Sequence, residues 1–255
     1  MNVEDLPEDE ELRLGAVRLP AGHHVMSGDE SGPVAWVTHN PVPDAGRIWQ
    51  SLSATMPEIG LQPVLFGGEY AEYLFDWPAD VTDLAGLAAA DVLEQLWNER
   101  TGGFPERFEP FTERFPGLAS AVTEPAAASR IDAALGSLGA RLFGLVQARR
   151  PADVLPVIGY HPQLFDDPLP PAAVLRSWES RFGAKLLQLG PSDEIRLLVE
   201  RPPRTPESGL ALAAEHWAFS GAWINEGHGE RIDLTTVSDI ATHILDSPIW
   251  GFWWD

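Results

Sequence analysis

A strand–helix–strand pattern in the first quarter of the chain most constrains its fold. Residues 34–38 are mostly apolar and rich in β-branched side chains, which is typical of a buried strand. Asp44 can cap the helix that follows, because the apolar residues after it recur at intervals of three and four: Ala45, Ile48, Trp49, Leu52 and Met56. Gly60 ends this helix, and residues 62–66 resume as a second strand. A helix between two strands favours a parallel pair.

Later segments continue the alternation of helices and strands. Capping residues, prolines and apolar periodicity predict helices that begin near Asp91, Ser129, Pro170, Thr205 and Thr236, and strands at residues 141–148, 184–189, 194–200 and 249–254. The two strands that flank the turn at 190–193 are predicted to pair as an antiparallel hairpin. The pattern therefore predicts an α/β to α+β fold in two lobes, each a small mixed sheet flanked by helices.

The charge of the chain is strongly negative and unevenly distributed. The 38 acidic residues exceed the 17 basic ones, which gives a net charge of −21. Residues 1–128 hold 22 acidic and 6 basic residues, whereas residues 129–255 hold 16 and 11. This asymmetry predicts an acidic N-terminal lobe at 1–128, with about the first 15 residues disordered, and a second lobe at 129–255. A single domain with a solvated acidic edge is the alternative.

The composition also excludes several classes of protein. A nucleic-acid binder needs a basic face, so no nucleic-acid partner is expected. The chain has no cysteine, which excludes disulfides, thiolate nucleophiles and cysteine-ligated metals. The single lysine, Lys185, does not lie in a phosphate-binding loop pattern. The acidic start lacks a secretory signal and no apolar run could span a bilayer, so we expect a cytoplasmic protein without a membrane partner.

The second half of the chain carries several short motifs. The most specific are Arg201-Pro202-Pro203-Arg204-Thr205 and the ending Phe252-Trp253-Trp254-Asp255, and further ones lie at 150–153, 174–184 and 214–219. These segments resemble the domain of unknown function DUF4253, which occurs mostly in actinobacterial proteins. Segments 36–38, 43–46 and 60–65 resemble the N-terminal extension of those proteins, although the loop at 220–230 is longer and richer in glycine than the family pattern. The resemblance implies a class of fold and no catalytic residues.

Histidines supply the candidate catalytic and metal-binding residues. His39 lies at the end of the first predicted strand, where α/β sheets usually bind ligands, and His216 lies on a predicted helix. His216, Glu226 and His228 could converge on a metal ion from a helix and the following loop. An exposed polar loop is the alternative to the metal site, and a strand-end histidine bonded to the backbone is the alternative for His39. No Gly-x-Ser-x-Gly elbow marks a catalytic nucleophile. No cofactor is expected.

Arginine pairs and terminal tryptophans are the other candidates. Arg149, Arg150, Arg201 and Arg204 flank predicted strand and helix boundaries, where guanidinium groups could bind a carboxylate or phosphate. Internal ion pairs are the alternative. Trp250, Trp253 and Trp254 could form an aromatic patch that binds a partner, or they could pack in the core.

Two functions fit these observations. The first is a non-enzymatic, acidic interaction protein, similar to an immunity or inhibitor protein, that binds a basic protein partner. The second is a small-ligand-binding protein or hydrolytic enzyme that uses a cleft between the lobes lined by histidine and arginine.

Overall fold

A computed structural model describes residues 1–67, 75–100, 105–111, 114–190, 193–221, 223–225, 231–233 and 236–254. Its largest element is a seven-stranded mixed sheet, and two short antiparallel pairs lie outside it. The strands are β1 Leu12–Leu14, β2 Val17–Leu19, β3 Gly22–Met26, β4 Pro33–Thr38, β5 Gln62–Phe66, β6 Leu142–Val146, β7 Ala184–Gly190, β8 Glu194–Val199, β9 Trp223–Asn225, β10 Arg231–Asp233 and β11 Ile249–Trp253.

The seven-stranded sheet has the order β11-β8-β7-β5-β6-β4-β3. Among the described strands of this sheet, only β5 and β7 pair in parallel, and the other neighbours are antiparallel, including the predicted hairpin of β7 and β8. β4 and β5 run in the same direction but are not neighbours, because β6 lies between them. The α/β to α+β class is confirmed. The strands on both sides of residue 128 share one sheet, where two smaller sheets were expected, and the boundary at 128/129 stays a prediction.

Helices cover both faces of this sheet. They are α1 Ala45–Ser53, α2 Ala89–Arg100, α3 Ala128–Gly136, α4 Val154–Ile158, α5 Leu169–Phe182, α6 Pro206–Ser220 and α7 Val237–Ile244. Two of the predicted starts are capped as the sequence indicates: the Thr205 side chain accepts from the Ser208 backbone N–H, and Thr236 accepts from that of Asp239. Trp49 and Leu52 of α1 pack on one face with Leu135 of α3. The other helices cover the opposite face, which contains the larger core.

The N-terminal segment packs against the sheet, in place of the disordered start that was expected. Val3 and Leu6 are buried. The Val3 backbone N–H donates to Gln147 Oε1 at 2.8 Å, and the Trp36 indole N–H donates to the Pro7 carbonyl at 2.7 Å. Apolar residues separated by exposed carboxylates anchor this segment, although its composition alone is typical of a solvated tail.

Candidate functional site

One edge of the seven-stranded sheet collects polar side chains from several strands. β4, β5, β7 and β11 run in one direction and β3, β6 and β8 in the other, so the carboxyl ends of the first group meet the amino ends of the second. Ligands of open α/β sheets bind outside the carboxyl ends of the strands. The structure places His39 at this edge, directly after β4, where the sequence predicted it.

A cavity of about 470 Å³ opens at this edge. Its lining residues come from the ends of β4 and β5 and the start of β6: His39, Asn40, Pro41, Phe66, Ala140, Arg141 and Leu142. The Phe66 ring packs against Gly144 of β6, where a Cβ atom would collide with it. The volume of the cavity falls within the range of small-molecule sites. Apolar side chains, one guanidinium group and the polar side chains of His39 and Asn40 therefore bound the cavity.

Arg141 belongs to a cluster of polar residues on one face of the sheet. Its Nε donates to Gln188 Oε1 at 3.3 Å, and its Nη1 donates to the Ala140 carbonyl at 2.8 Å. Gln188 lies opposite Arg196 in the β7–β8 register. Arg196 and Glu194 form an ion pair, and both residues are buried. We call these four residues, Arg141, Gln188, Glu194 and Arg196, the arginine cluster.

The arginine cluster holds one more positive than negative charge. None of the ion pairs found between described residues includes Arg141. Burial lowers the pKa of Arg141, the neighbouring Arg196 lowers it further, and Glu194 opposes both effects. Burial raises the pKa of Glu194 against the attraction of Arg196 and Arg141. A half-buried guanidinium group with such neighbours is stabilised by any anion that reaches it.

His39 makes two contacts through its ring. Its Nε2 lies 2.8 Å from Asp9 Oδ1, and its Nδ1 lies 3.2 Å from Nδ1 of His23 on β3. Because a carboxylate only accepts hydrogen bonds, the contact with Asp9 places a proton on Nε2 of His39. A neutral ring of this kind has a lone pair on Nδ1, directed toward His23.

The other candidate catalytic histidine, His216, lies in the core. It is 1% exposed on α6. Its ring centroid is 5.1, 4.7 and 4.9 Å from those of Trp178, Trp250 and Phe252, and its Nε2 makes no hydrogen bond to a described residue. Burial, with smaller effects from His243 and Arg181, lowers its pKa to about 3. At neutral pH His216 is therefore an uncharged core residue, and it does not line the cavity with His39.

The metal site predicted at His216 cannot be traced through its loop, because Glu226 and His228 lie outside the described residues. Within the residues that the structure describes, no group of three or more histidine, aspartate or glutamate side chains is arranged to hold a metal ion.

The four candidate arginines do not form one site. Arg149 is exposed and borders a groove at the opposite edge of the sheet, beside Glu58 and Gln147. Each of the other three is near a carboxylate: Arg150 Nη2 is 3.4 Å from Glu179 Oε2, Arg201 Nη1 is 3.8 Å from Glu200 Oε2, and Arg204 Nη1 is 3.1 Å from Glu124 Oε2. These carboxylates already compete for the guanidinium groups that an anion would need.

The candidate aromatic patch is inside the protein. Trp250, Trp253 and Trp254 are each at most 5% exposed. The Trp254 indole N–H donates to the Phe219 carbonyl at 3.1 Å. These tryptophans therefore add no exposed aromatic surface in this conformation.

Sequence reasoning missed the arginine cluster. One signal was present, because Glu194 and Arg196 alternate with Ile195 and Leu197 in a predicted strand. Two opposite charges on the same face of an apolar strand indicate a buried ion pair. The approach of Arg141 depends on the order of the strands, which no local pattern provides.

Comparison with known proteins identifies part of the chain. Residues 142–255 match the family described as Domain of unknown function (DUF4253), so the chain contains this domain. No curated protein and no solved structure matches the sequence. The match begins with β6 and includes three residues of the arginine cluster, while His39 precedes it and Arg141 is the residue before its first. In the described parts of the chain, no helix has the length and apolar character needed to cross a membrane.

Proposed function

We propose that the protein binds a small anionic molecule in the cavity beside Arg141. The observation that carries this proposal is the position of that guanidinium group, half-buried in a cavity wall, with a second arginine near it and no ion pair of its own among the described residues. Removing a charge from water is unfavourable unless a partner compensates for it. A bound anion would supply this partner.

The walls of the cavity narrow the class of ligand. Phe66, Pro41 and Leu142 are apolar, and Arg141 presents hydrogen-bond donors suited to a planar carboxylate or a phosphate. A carboxylate on an apolar body would satisfy both features. Because the whole chain carries a charge of −21, long-range repulsion disfavours highly charged anions, and a singly charged ligand fits best.

Binding can be tested with benzoate, inorganic phosphate and the uncharged analogue benzamide. We expect benzoate to raise the thermal midpoint of the wild-type protein, since a ligand at 100 times its Kd adds about 2.7 kcal/mol to stability. Benzamide should not. Arg141→Gln should weaken benzoate binding by about 10- to 100-fold, measured by titration calorimetry, because it removes the charge-assisted bonds.

Arg149→Gln is the matched control, since Arg149 is exposed at the opposite edge of the sheet. It should leave benzoate binding unchanged. Preference for phosphate over benzoate would identify a phosphate ligand at the same group. Equal binding by wild-type protein and Arg141→Gln, or no binding of either anion, would remove the basis of the proposal.

A second candidate is an acidic cytoplasmic interaction protein that binds a basic protein partner, in the manner of an immunity or inhibitor protein. This candidate is favoured by the solvent exposure of the acidic side chains, because every Asp and Glu that is described between residues 1 and 128 is exposed. Clustered exposed carboxylates accelerate association with a cationic partner.

This candidate predicts capture that depends on salt. Immobilised protein should retain a basic protein from a bacterial lysate at low salt and release it as ionic strength rises. A variant with Glu8, Glu10 and Glu11 changed to Gln should retain less of the basic protein. Glu207→Gln on α6 is the matched control and should retain as much as the wild type. Retention that is the same at 50 mM and 500 mM salt would count against an electrostatic partner.

A further inference from the structure

We propose that His23 and His39 bind a divalent transition-metal ion such as Zn²⁺ through their Nδ1 atoms. The site goes beyond the anion binding proposed above and does not depend on it. Both histidines lie at the ligand-binding edge of the sheet, and His39 also lines the cavity.

The separation of the two nitrogens fits a shared metal ion. Nδ1 of His23 and Nδ1 of His39 are 3.2 Å apart. Two imidazole nitrogens bound to tetrahedral Zn²⁺ at 2.0–2.1 Å lie about 3.3 Å from each other. Without a metal, the same separation suits an N–H···N hydrogen bond in which His23 donates from Nδ1. On metal binding the His23 proton moves from Nδ1 to Nε2, and the ion takes its place between the two nitrogens with little movement of the rings.

The surroundings of His39 also match a metal ligand. Asp9 Oδ1 accepts from Nε2 of His39 at 2.8 Å, which leaves Nδ1 as the unprotonated nitrogen. Histidines that bind metals commonly donate their second N–H to a carboxylate, which fixes the ring and its tautomer. Asp9 is thus a positioning residue for the metal ligand.

The backbone holds the two histidines in register. His23 lies on β3 opposite Val37 of β4, and the His39 backbone N–H donates to the Ala21 carbonyl at 3.0 Å. His23 therefore projects from β3, and His39 from the residue that directly follows β4 and is still bonded to the chain before β3. A site built on paired strands keeps its geometry before the metal arrives, which lowers the entropy lost on binding.

The described residues provide two ligands, so solvent or a bound anion would fill the other positions. Imidazole ligands select late transition metals over Mg²⁺ and Ca²⁺, which prefer oxygen. Exposed carboxylates at Glu8, Asp9 and Glu10 add an attractive potential for a cation. The expected affinity order is Cu²⁺ above Zn²⁺, with Mg²⁺ not bound at this site.

Metal titration of the untagged full chain tests this proposal. We expect Zn²⁺ to bind with one site per chain in calorimetry, and Cu²⁺ to show two coordinated nitrogens by electron paramagnetic resonance. His23→Ala and His39→Ala should each weaken Zn²⁺ binding at least tenfold and leave a single-nitrogen Cu²⁺ spectrum. Asp9→Asn should weaken Zn²⁺ binding by about 10- to 100-fold, while the Cu²⁺ spectrum still shows two coordinated nitrogens.

His161→Gln is the matched control, because His161 is a half-buried histidine near Asp193 that is not part of the pair. It should bind Zn²⁺ as the wild type does. Circular dichroism would establish that each variant is folded. Zn²⁺ binding that survives the double substitution of His23 and His39, or a wild-type Cu²⁺ spectrum without two nitrogens, would overturn the proposal.

Discussion

Arg181→Met should lower the free energy of unfolding by about 3–5 kcal/mol, because it leaves a buried carboxylate without its counter-ion. The Glu215 side chain is 0% exposed. Both of its oxygens accept from Arg181, at 2.7 and 2.6 Å, and they also accept from the Ala119 backbone N–H and the Trp178 indole N–H. Methionine keeps much of the apolar stem of the arginine side chain, so the loss reports mainly on the charge.

Urea unfolding at pH 7 measures this effect and separates it from packing. Arg181→Met combined with Glu215→Gln should be less destabilised than the sum of the two single variants, since no charge then remains buried. Arg150→Met is the matched control: its 3.4 Å pair with Glu179 leaves the arginine side chain 43% exposed, and such pairs contribute less than about 1 kcal/mol. Equal losses for Arg181→Met and Arg150→Met would contradict the expectation.

Local signals predicted most of the elements that the structure contains. Thr205 and Thr236 cap their helices because a hydroxyl group binds an N–H within the same turn, and such a contact can be recognised within a few residues. The hairpin of β7 and β8 is equally local. The position of β6 between β4 and β5 cannot be predicted from local sequence, because β6 pairs with a strand almost 80 residues away in the chain.

The residues of the candidate site also fall into those that local sequence predicts and those that it does not. His39 was predicted because one strand end suffices to place it at the carboxyl ends of the strands, where open α/β sheets usually bind ligands. Arg141 and Arg196 were missed because three separate strands bring them together, and each looks ordinary in its own segment. The contact of His39 with Asp9 was missed for another reason. The acidic start was expected to be disordered, whereas buried Val3 and Leu6 hold it against the sheet.

The isolated segment 142–255 should not fold, although it is the part that matches a domain family. Its strands β6 and β7 are not neighbours, because β5 from the N-terminal half lies between them and pairs with both. Without residues 62–66 and β4, strand β6 loses both partners. Its buried face would then expose Phe143 and Leu145, and the unpaired backbone groups would have no compensating bonds.

Fragment complementation tests this dependence. The exposed residues Gly139 and Ala140, between α3 and β6, allow a cut that leaves every described strand intact. We expect 140–255 alone to lack a cooperative thermal transition and to gain one when 1–139 is added, measured by near-ultraviolet circular dichroism. Val64→Asp in the first fragment should prevent this, since Val64 is buried in β5, whereas Glu94→Ala, exposed on α2, should not. A cooperative transition of 140–255 alone would show that β6 and β7 find another arrangement, and β5 would then be an addition to the domain and not part of its core.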